Sequence, residues 1–244
     1  MIDLRNGERI EDLQCRGLKI IQNKNWFCFG IDAVLLANYC NLKDGEEVVD
    51  LGTGTGIIPI ILYGKNNVKK IFGIEIQKEV AEMAERSIKL NKVEEYIEII
   101  NTNIKDYSKY LKKNHFDTVV SNPPYIKTSN SLISPERKKA LSRHEIEGNL
   151  EDFIKIAAEL LKHRGKFYMV YRPNRLVEVF QYMKKHKIEP KKIRFIHNKE
   201  NDEPNLVLIK GVKAANPHLI VEKPLIVFDK DGNYTEEINK IYSS

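Results

Sequence analysis

The 244 residues are 42% hydrophobic and 30% charged, enough for a large core without disulfide or metal staples, and they exclude a largely disordered chain. No apolar run approaches the roughly 18 residues of a membrane span, and the start, Met1 to Ile10, lacks a signal-peptide core; a cytoplasmic protein is expected. Forty Lys and Arg against 34 Asp and Glu leave a net charge of +6, a field that attracts a polyanion, although 30 of the 40 are lysine, a bias genome composition alone can produce.

In chain order, residues 1–45 are a mixed segment ending in a predicted helix, Asp32–Cys40. From Glu46 to Val212 short apolar runs alternate with amphipathic ones. Strands are predicted at Glu46–Leu51, Lys69–Glu75, Tyr96–Asn101, Phe116–Ser121, Gly165–Arg172, Lys191–His197 and Asn205–Lys210. Their nearly continuous Val, Ile and Leu suit strands covered on both faces. A helix at Lys78–Leu90 aligns Val80, Met83, Ala84, Ser87 and Ile88. Another at Leu150–Leu161 aligns Phe153, Ile154, Ala157, Ala158 and Leu161. The alternation predicts an α/β fold with a doubly wound, mainly parallel seven-stranded sheet. Only Asn198–Pro204 separates the last two strands, which are expected to pair as an antiparallel hairpin at one edge.

Residues 126–149 form a long polar connection, of a length usually functional or disordered. No repeat or linker divides the chain. One domain is expected, with 46–212 as its core, 1–45 as an N-terminal extension or lid, and 213–244 as a C-terminal extension. Cys15, Cys28 and Cys40 have no zinc or redox spacing and read as reduced, buried residues; no cluster has metal-ligand spacing.

The first core strand runs through Asp50 into Gly52-Thr-Gly54-Thr-Gly56 and an apolar helix, Ile57–Tyr63. Glycines let the backbone turn tightly and approach a ligand. A nicotinamide site would want a third glycine at position 57, where Ile57 stands. Glu75 closes the next strand, where a carboxylate can accept hydrogen bonds from both ribose hydroxyls. Asn103-Ile104 follows the third strand, and the fourth ends in Asn122-Pro123-Pro124-Tyr125.

The acid and glycine spacing resembles motif I of the S-adenosylmethionine-dependent class I methyltransferases. That resemblance implies a Rossmann-like fold and cofactor contacts from Asp50, Gly52, Gly54, Gly56, Glu75 and Ile76. It also implies an Asn103 side chain at the adenine amino group, the Ile104 N–H at the ring, and contributions from Gly30, Asp32 and Asn122. Asn-Pro-Pro-Tyr resembles the motif of methyltransferases acting on planar amino groups. An exocyclic amine is a poor nucleophile because its lone pair is delocalised into the ring. Accepting its hydrogens at the Asn122 oxygen and the Pro123 carbonyl favours a pyramidal nitrogen and stabilises charge growing there. Pro124 stiffens the turn, and the Tyr125 ring offers a stacking face.

Phe29-Gly30-Ile31-Asp32-Ala33-Val34-Leu35-Leu36-Ala37, Ser142-Arg143-His144-Glu145, Tyr171-Arg172-Pro173, Pro224–Asp229 and Gly232–Glu236 are together similar to the bacterial tRNA(Val) adenine-N6 methyltransferases. This resemblance implies methylation of adenine 37 and tRNA as partner; oligomeric state stays open. RNA contacts are expected from Lys127, Arg137, Lys138, Lys139, Arg143 and Arg172, with a further candidate in Lys184–Lys187. Arg143-His144-Glu145 is read as capping the next helix or ordering the loop, and Trp26-Phe27 and Phe29 as core or cofactor-lid residues. Two alternatives stay open. One is N5-methylation of a protein glutamine, as in release-factor methyltransferases, whose separate helical domain has little room in the 49 residues before Asp50. The other is a cofactor-binding module or RNA chaperone. DNA adenine methyltransferases more often use Asp-Pro-Pro-Tyr and add a recognition domain.

Overall fold

A computed structural model describes residues 3–23, 30–125 and 148–243. Cys28, Trp26-Phe27, Phe29, Lys127, Arg137, Lys138, Lys139, Arg143 and His144 lie outside them.

The described chain opens with a hairpin, β1 (Glu8–Asp12) and β2 (Lys19–Asn23), followed by α1 (Ile31–Tyr39). The core then runs β3 (Glu47–Leu51), α2 (Ile57–Lys65), β4 (Lys70–Glu75), α3 (Lys78–Asn91) and β5 (Ile97–Asn101). After a 3-10 helix (Ile104–Lys109) come β6 (Phe116–Ser121), α4 (Leu150–Leu160), β7 (Leu161–Tyr171), α5 (Leu176–Lys185), β8 (Ile188–His197) and β9 (Pro204–Lys213). The chain finishes with β10 (Ile220–Val221), β11 (Leu225–Ile226) and α6 (Glu236–Tyr242).

The strands form one sheet in the order β5-β4-β3-β6-β7-β9-β8, with β10 and β11 both beside β8. The pairs from β5 to β7 are parallel; β9 pairs antiparallel with both β7 and β8. The seven expected strands and the hairpin therefore form, with β7 beginning at Leu161 rather than Gly165 and β9 running on to Lys213 rather than Lys210. Two differences have local causes. Two-residue β10 and β11 run parallel outside β8, so the hairpin is not the outermost edge; segments that short carry no periodicity. β8 also begins at Ile188 rather than Lys191, because the ladder shifts register between Pro190 and Lys192 and so accommodates a proline that cannot donate.

Alternation along each strand divides the core. Val48, Val120, Tyr168 and Leu208 face α1 and α2, whereas Val49, Val119, Phe167 and Ile209 face α4 and α5. α4 buries Phe153, Ile154 and Ala157, and Asn149 starts it with a capping box. Its side chain accepts from the Asp152 N–H at 2.9 Å while Asp152 accepts from the Asn149 N–H at 3.0 Å, an arrangement worth about 1 kcal/mol. Asn149 thus supplies the N-cap, and Arg143-His144-Glu145, read as capping this helix or ordering the loop, lie outside the described residues.

The N-terminal hairpin docks on α3. Arg86 grips the Glu8 carboxylate at 2.5 and 2.7 Å, holding it below the usual carboxylate range, and Asn91 bonds both the N–H and the carbonyl of Lys19. Gln22 reaches Thr55 of the glycine loop at 3.2 Å. Cys15 and Cys40 are free, buried thiols. No described helix is long and apolar enough to cross a membrane.

Candidate active site

The chain moves from β3 outward to β4 and β5, then returns to place β6 against the other side of β3. Strand order thus reverses between β3 and β6, where open α/β sheets bind ligands beyond the carboxyl ends of their strands. Leu51 and Ser121, the last residues of these strands, are paired in register, and the Ser121 hydroxyl donates to the Leu51 carbonyl at 2.9 Å. The glycine loop and Asn122-Pro-Pro-Tyr125 therefore leave the sheet side by side.

Between them lies a cleft of about 720 Å³. Gly52, Gly54 and Gly56 all take positive φ, at 74°, 58° and 84°. A Cβ on Gly52 would stand 3.3 Å from the Phe153 ring, whereas one on Gly54 would meet nothing within 4 Å, so the loop turns a bare backbone outward. The Gly54 and Gln77 N–H groups donate to opposite oxygens of the Glu75 carboxylate at 3.0 and 2.8 Å. That fixes Glu75 at the rim although it is only 6% exposed. Beneath the loop, Asp50 is fully buried, and neither carboxylate oxygen has a hydrogen-bond partner among the described residues. Burial pushes its pKa up to about 7, the Glu75 charge adding to the effect and the nearby Thr53 hydroxyl opposing it.

On the opposite wall the Tyr125 hydroxyl stands 3.0 Å from Asp32 Oδ2 and 3.0 Å from Asn122 Oδ1. Asp32 comes from the first turn of α1, where the Ala33 N–H donates to its other oxygen at 2.9 Å. The Tyr125 ring is held by the Arg172 guanidinium, 4.6 Å from its centroid, and by Tyr171 at 5.5 Å. Arg172 is itself tied to the Asn205 carbonyl at 3.0 Å. Burial, with Asp32 beside it, raises the phenol pKa far above its usual value, so the hydroxyl keeps its proton.

The family model that matches this chain is described as the methyltransferase small domain, and it spans residues 18–190, more than two thirds of the sequence. The chain belongs to the methyltransferase small-domain family. Among curated relatives, the tRNA1(Val) (adenine(37)-N6)-methyltransferase of Porphyromonas gingivalis is 29% identical over 216 residues, covering 85% of this chain and 84% of that protein. Two solved structures share the fold. A "predicted O-methyltransferase" of Agrobacterium tumefaciens superposes with a TM-score of 0.70 at 22% identity, covering 86% of this chain and 95% of its own. Geranyl diphosphate C-methyltransferase of Streptomyces coelicolor, crystallised with Mg²⁺, geranyl diphosphate and S-adenosyl-L-homocysteine, gives 0.55 at 12% identity, covering 75% and 78%.

In this methyltransferase-family chain the cleft lining brings together Gly30, Asp32, Gly52, Gly54, Glu75, Ile76, Ile104, Asn122, Pro123, Pro124, Tyr125 and Arg172 of the residues singled out from sequence. Asp50 and Gly56 lie behind that lining. Asn103 is also outside it, its side chain capping the 3-10 helix by accepting from the Lys105 N–H at 2.9 Å. The cleft further uses Thr53, Thr55, Gln77, Val80, Met83 and Phe153. Phe153 has a signal, its place at the first turn of the helix that follows Asn122-Pro-Pro-Tyr125 in the chain, but helical spacing alone reads it as core. Lys184 and Lys185 are ion-paired with Glu189 at 2.5 Å and Glu151 at 2.7 Å, and His186 also meets Glu151. Among the described residues no group of His, Cys, Asp and Glu could hold a metal ion.

Proposed function

We propose that this cleft catalyses S-adenosylmethionine-dependent N6-methylation of an adenine in tRNA, with adenine 37 of tRNA(Val) as the target, in the cytoplasm. The observation that carries the reading is the pairing of Leu51 with Ser121, which sets a cofactor-type glycine loop directly beside Asn122-Pro-Pro-Tyr125. The name of the Porphyromonas relative supports the choice of nucleotide.

The residues present fit that cofactor. Glu75 is oriented by two backbone donors, and a carboxylate oxygen accepts more than one hydrogen bond, so it also suits the ribose diol. Ile76, Ile104 and Phe153 offer apolar surface to an adenine ring, with the Ile104 N–H as a donor. Asp50, charged in part at neutral pH and lacking a partner among the described residues, puts negative potential under the loop and favours a cationic amino-acid end. Gly30 and Asp32 close that end from α1. When bound, the sulfonium supplies an electrophilic methyl carbon.

The protein's own contribution is to shape the nucleophile. A hydroxyl carries one proton, and Tyr125 stands equally near a carboxylate and an amide; the carboxylate is the stronger acceptor. The Asn122 amide then turns its NH₂ toward the Tyr125 oxygen and its carbonyl oxygen into the cleft, since the two ends of an amide exchange by rotation. There Asn122 Oδ1, with the Pro123 carbonyl, accepts the hydrogens of the adenine amine. The Tyr125 ring provides a stacking face, and Arg172 sets its tilt. No strong base is required, because the proton can leave to water after transfer. RNA approaches past Arg172 and the basic residues Lys127, Arg137, Lys138, Lys139 and Arg143 that follow Tyr125 in the chain.

The test is incubation with labelled S-adenosylmethionine and total tRNA lacking this modification, followed by mass-spectrometric mapping. Label at N6 of adenine 37 in tRNA(Val) supports the reading. Label in another nucleotide revises the target. Label in protein glutamine, or none, overturns it.

A further inference from the structure

A second cavity, of about 410 Å³, opens on the α1 side of the sheet and is separate from the cleft. Its floor is set by strand register: Tyr168 of β7 pairs with Lys210 of β9, and Lys210 pairs with Lys192 of β8. Arg194, two residues along β8, projects from the same face. Tyr39, near the C-terminal end of α1, and the Glu222-Lys223 segment complete the walls.

The lining carries four cations against one carboxylate, and that carboxylate is engaged. Glu222 accepts from Lys192 at 2.9 Å and from the Tyr39 hydroxyl at 2.8 Å. Arg194 spans the Lys223 carbonyl at 3.0 Å and Glu237 at 2.8 Å, the latter half-exposed. Lys210 differs. Its ammonium makes no hydrogen bond or ion pair among the described residues and meets only the Tyr168 ring, 5.6 Å from the centroid. It is partly buried with Lys166 and Lys192 as like-charged neighbours, and burial followed by these charges holds its pKa below the ordinary lysine value. The Glu222 carboxylate offsets these charges only in part, and a half-buried ammonium with no hydrogen-bond acceptor among the described residues favours the arrival of an anion.

α1 connects this pocket to the cleft. Asp32, which holds Tyr125, and Tyr39 are seven residues apart and share a side of the helix, about 10 Å apart at 1.5 Å per residue. Strands of RNA cover that distance in a few nucleotides. Lysine and arginine together match the charge and oxygen geometry of a phosphate group.

We infer that the Tyr39–Lys192–Arg194–Lys210 pocket is a phosphate-binding subsite that takes a backbone phosphate of the RNA whose base enters the cleft. The inference rests on the tRNA reading, and free phosphate shares the chemistry, so the experiment has two arms using the full chain. The first compares tRNA binding and turnover of wild type with Lys210→Met, which keeps the aliphatic stem, and Lys210→Arg, which keeps the charge. Lys210→Met is expected to flatten the log–log salt dependence of tRNA binding by about 0.7–0.9, one phosphate contact, and to raise KM for tRNA with kcat unchanged; Lys210→Arg restores both. The second arm adds inorganic phosphate and follows thermal unfolding. Phosphate is expected to raise the Tm of wild type and not of Lys210→Met, and without phosphate Lys210→Met is expected to melt higher than wild type, because it removes a half-buried ammonium that has no hydrogen-bond acceptor among the described residues.

An unchanged slope and KM, with the phosphate effect intact, overturns the RNA source and leaves a free-phosphate site. Absence of any phosphate effect together with an unchanged slope overturns the pocket altogether. If no tRNA is bound or methylated by wild type, the functional reading has failed, and the phosphate arm alone decides the pocket.

Discussion

Replacing Tyr125 with Phe isolates a single oxygen atom. The ring keeps its contacts with Arg172 at 4.6 Å and Tyr171 at 5.5 Å, so stacking surface and cation–π attraction survive. What disappears is the hydroxyl between Asp32 and Asn122, at 3.0 Å from each. A hydrogen bond to a charged group is worth about 1.5–3 kcal/mol. Asp32 retains its bond from the Ala33 N–H, so the protein should lose the lower part of that range in stability. Asn122, by contrast, loses the hydroxyl that in the proposed mechanism turns its carbonyl oxygen into the cleft. If that orientation is maintained chiefly by the hydroxyl, kcat should fall by roughly ten- to one-hundred-fold, about 1.4 kcal/mol per decade. Affinity for S-adenosylhomocysteine should change far less than kcat, because the backbone donors on Glu75 are untouched and Asp32 keeps its bond from the Ala33 N–H. Steady-state methylation of tRNA, calorimetry with the cofactor product and thermal unfolding separate the three effects. A double-mutant cycle with Asp32→Asn should be strongly non-additive. A folded Tyr125→Phe protein with wild-type kcat would refute the orienting role, as would a rate loss matched by an equal loss of cofactor affinity.

Other outcomes follow from the same geometry. Glu75→Ala should weaken S-adenosylhomocysteine binding by about 1–3 kcal/mol in calorimetry, the range for charge-assisted hydrogen bonds. Asn122→Ala should lower kcat by about 10²–10³ with cofactor affinity preserved, by analogy with deleting one oxyanion-hole contact; near-normal turnover would reduce the motif to a turn. Asp50, held near 7 in the fold against an ordinary 3.8, is more readily protonated folded than unfolded. Its favourable contribution is complete at acid pH below its ordinary value and is lost as pH rises through about 7. Asp50→Asn should therefore melt increasingly above wild type as pH goes from about 5 to about 8, whereas a gap independent of pH would refute the assignment.

Much of the site is legible because it is local. Asp50, the glycines, Glu75 and Asn122-Pro-Pro-Tyr125 stand at strand ends that apolar runs announce, and parallel strands deliver such ends to one edge. Contacts made by register are not legible. Asp32 and Tyr125 lie 93 residues apart, and nothing in either segment announces their bond. Lys192 and Lys210 read as ordinary surface cations of two strands until the β8–β9 ladder places them side by side. Asn103 shows a double use: its position after β5 suggests a ligand contact, and its side chain also caps the 3-10 helix by accepting from the Lys105 N–H, as short amides after strands often do.

The rung shared by Leu51 and Ser121 makes the backbone ladder a ruler for methyl transfer. On the proposed mechanism the spacing between cofactor loop and amide is carried by peptide geometry, so side chains around the cleft can vary in size or polarity without altering it. Inserting or deleting one residue between Phe116 and Asn122 would move the amide by about 3.3 Å and turn it to the other face of the sheet. No repacking nearby could restore both. Substrate choice is thus free to drift in the walls of this enzyme, while the distance over which it reacts is locked into the sheet.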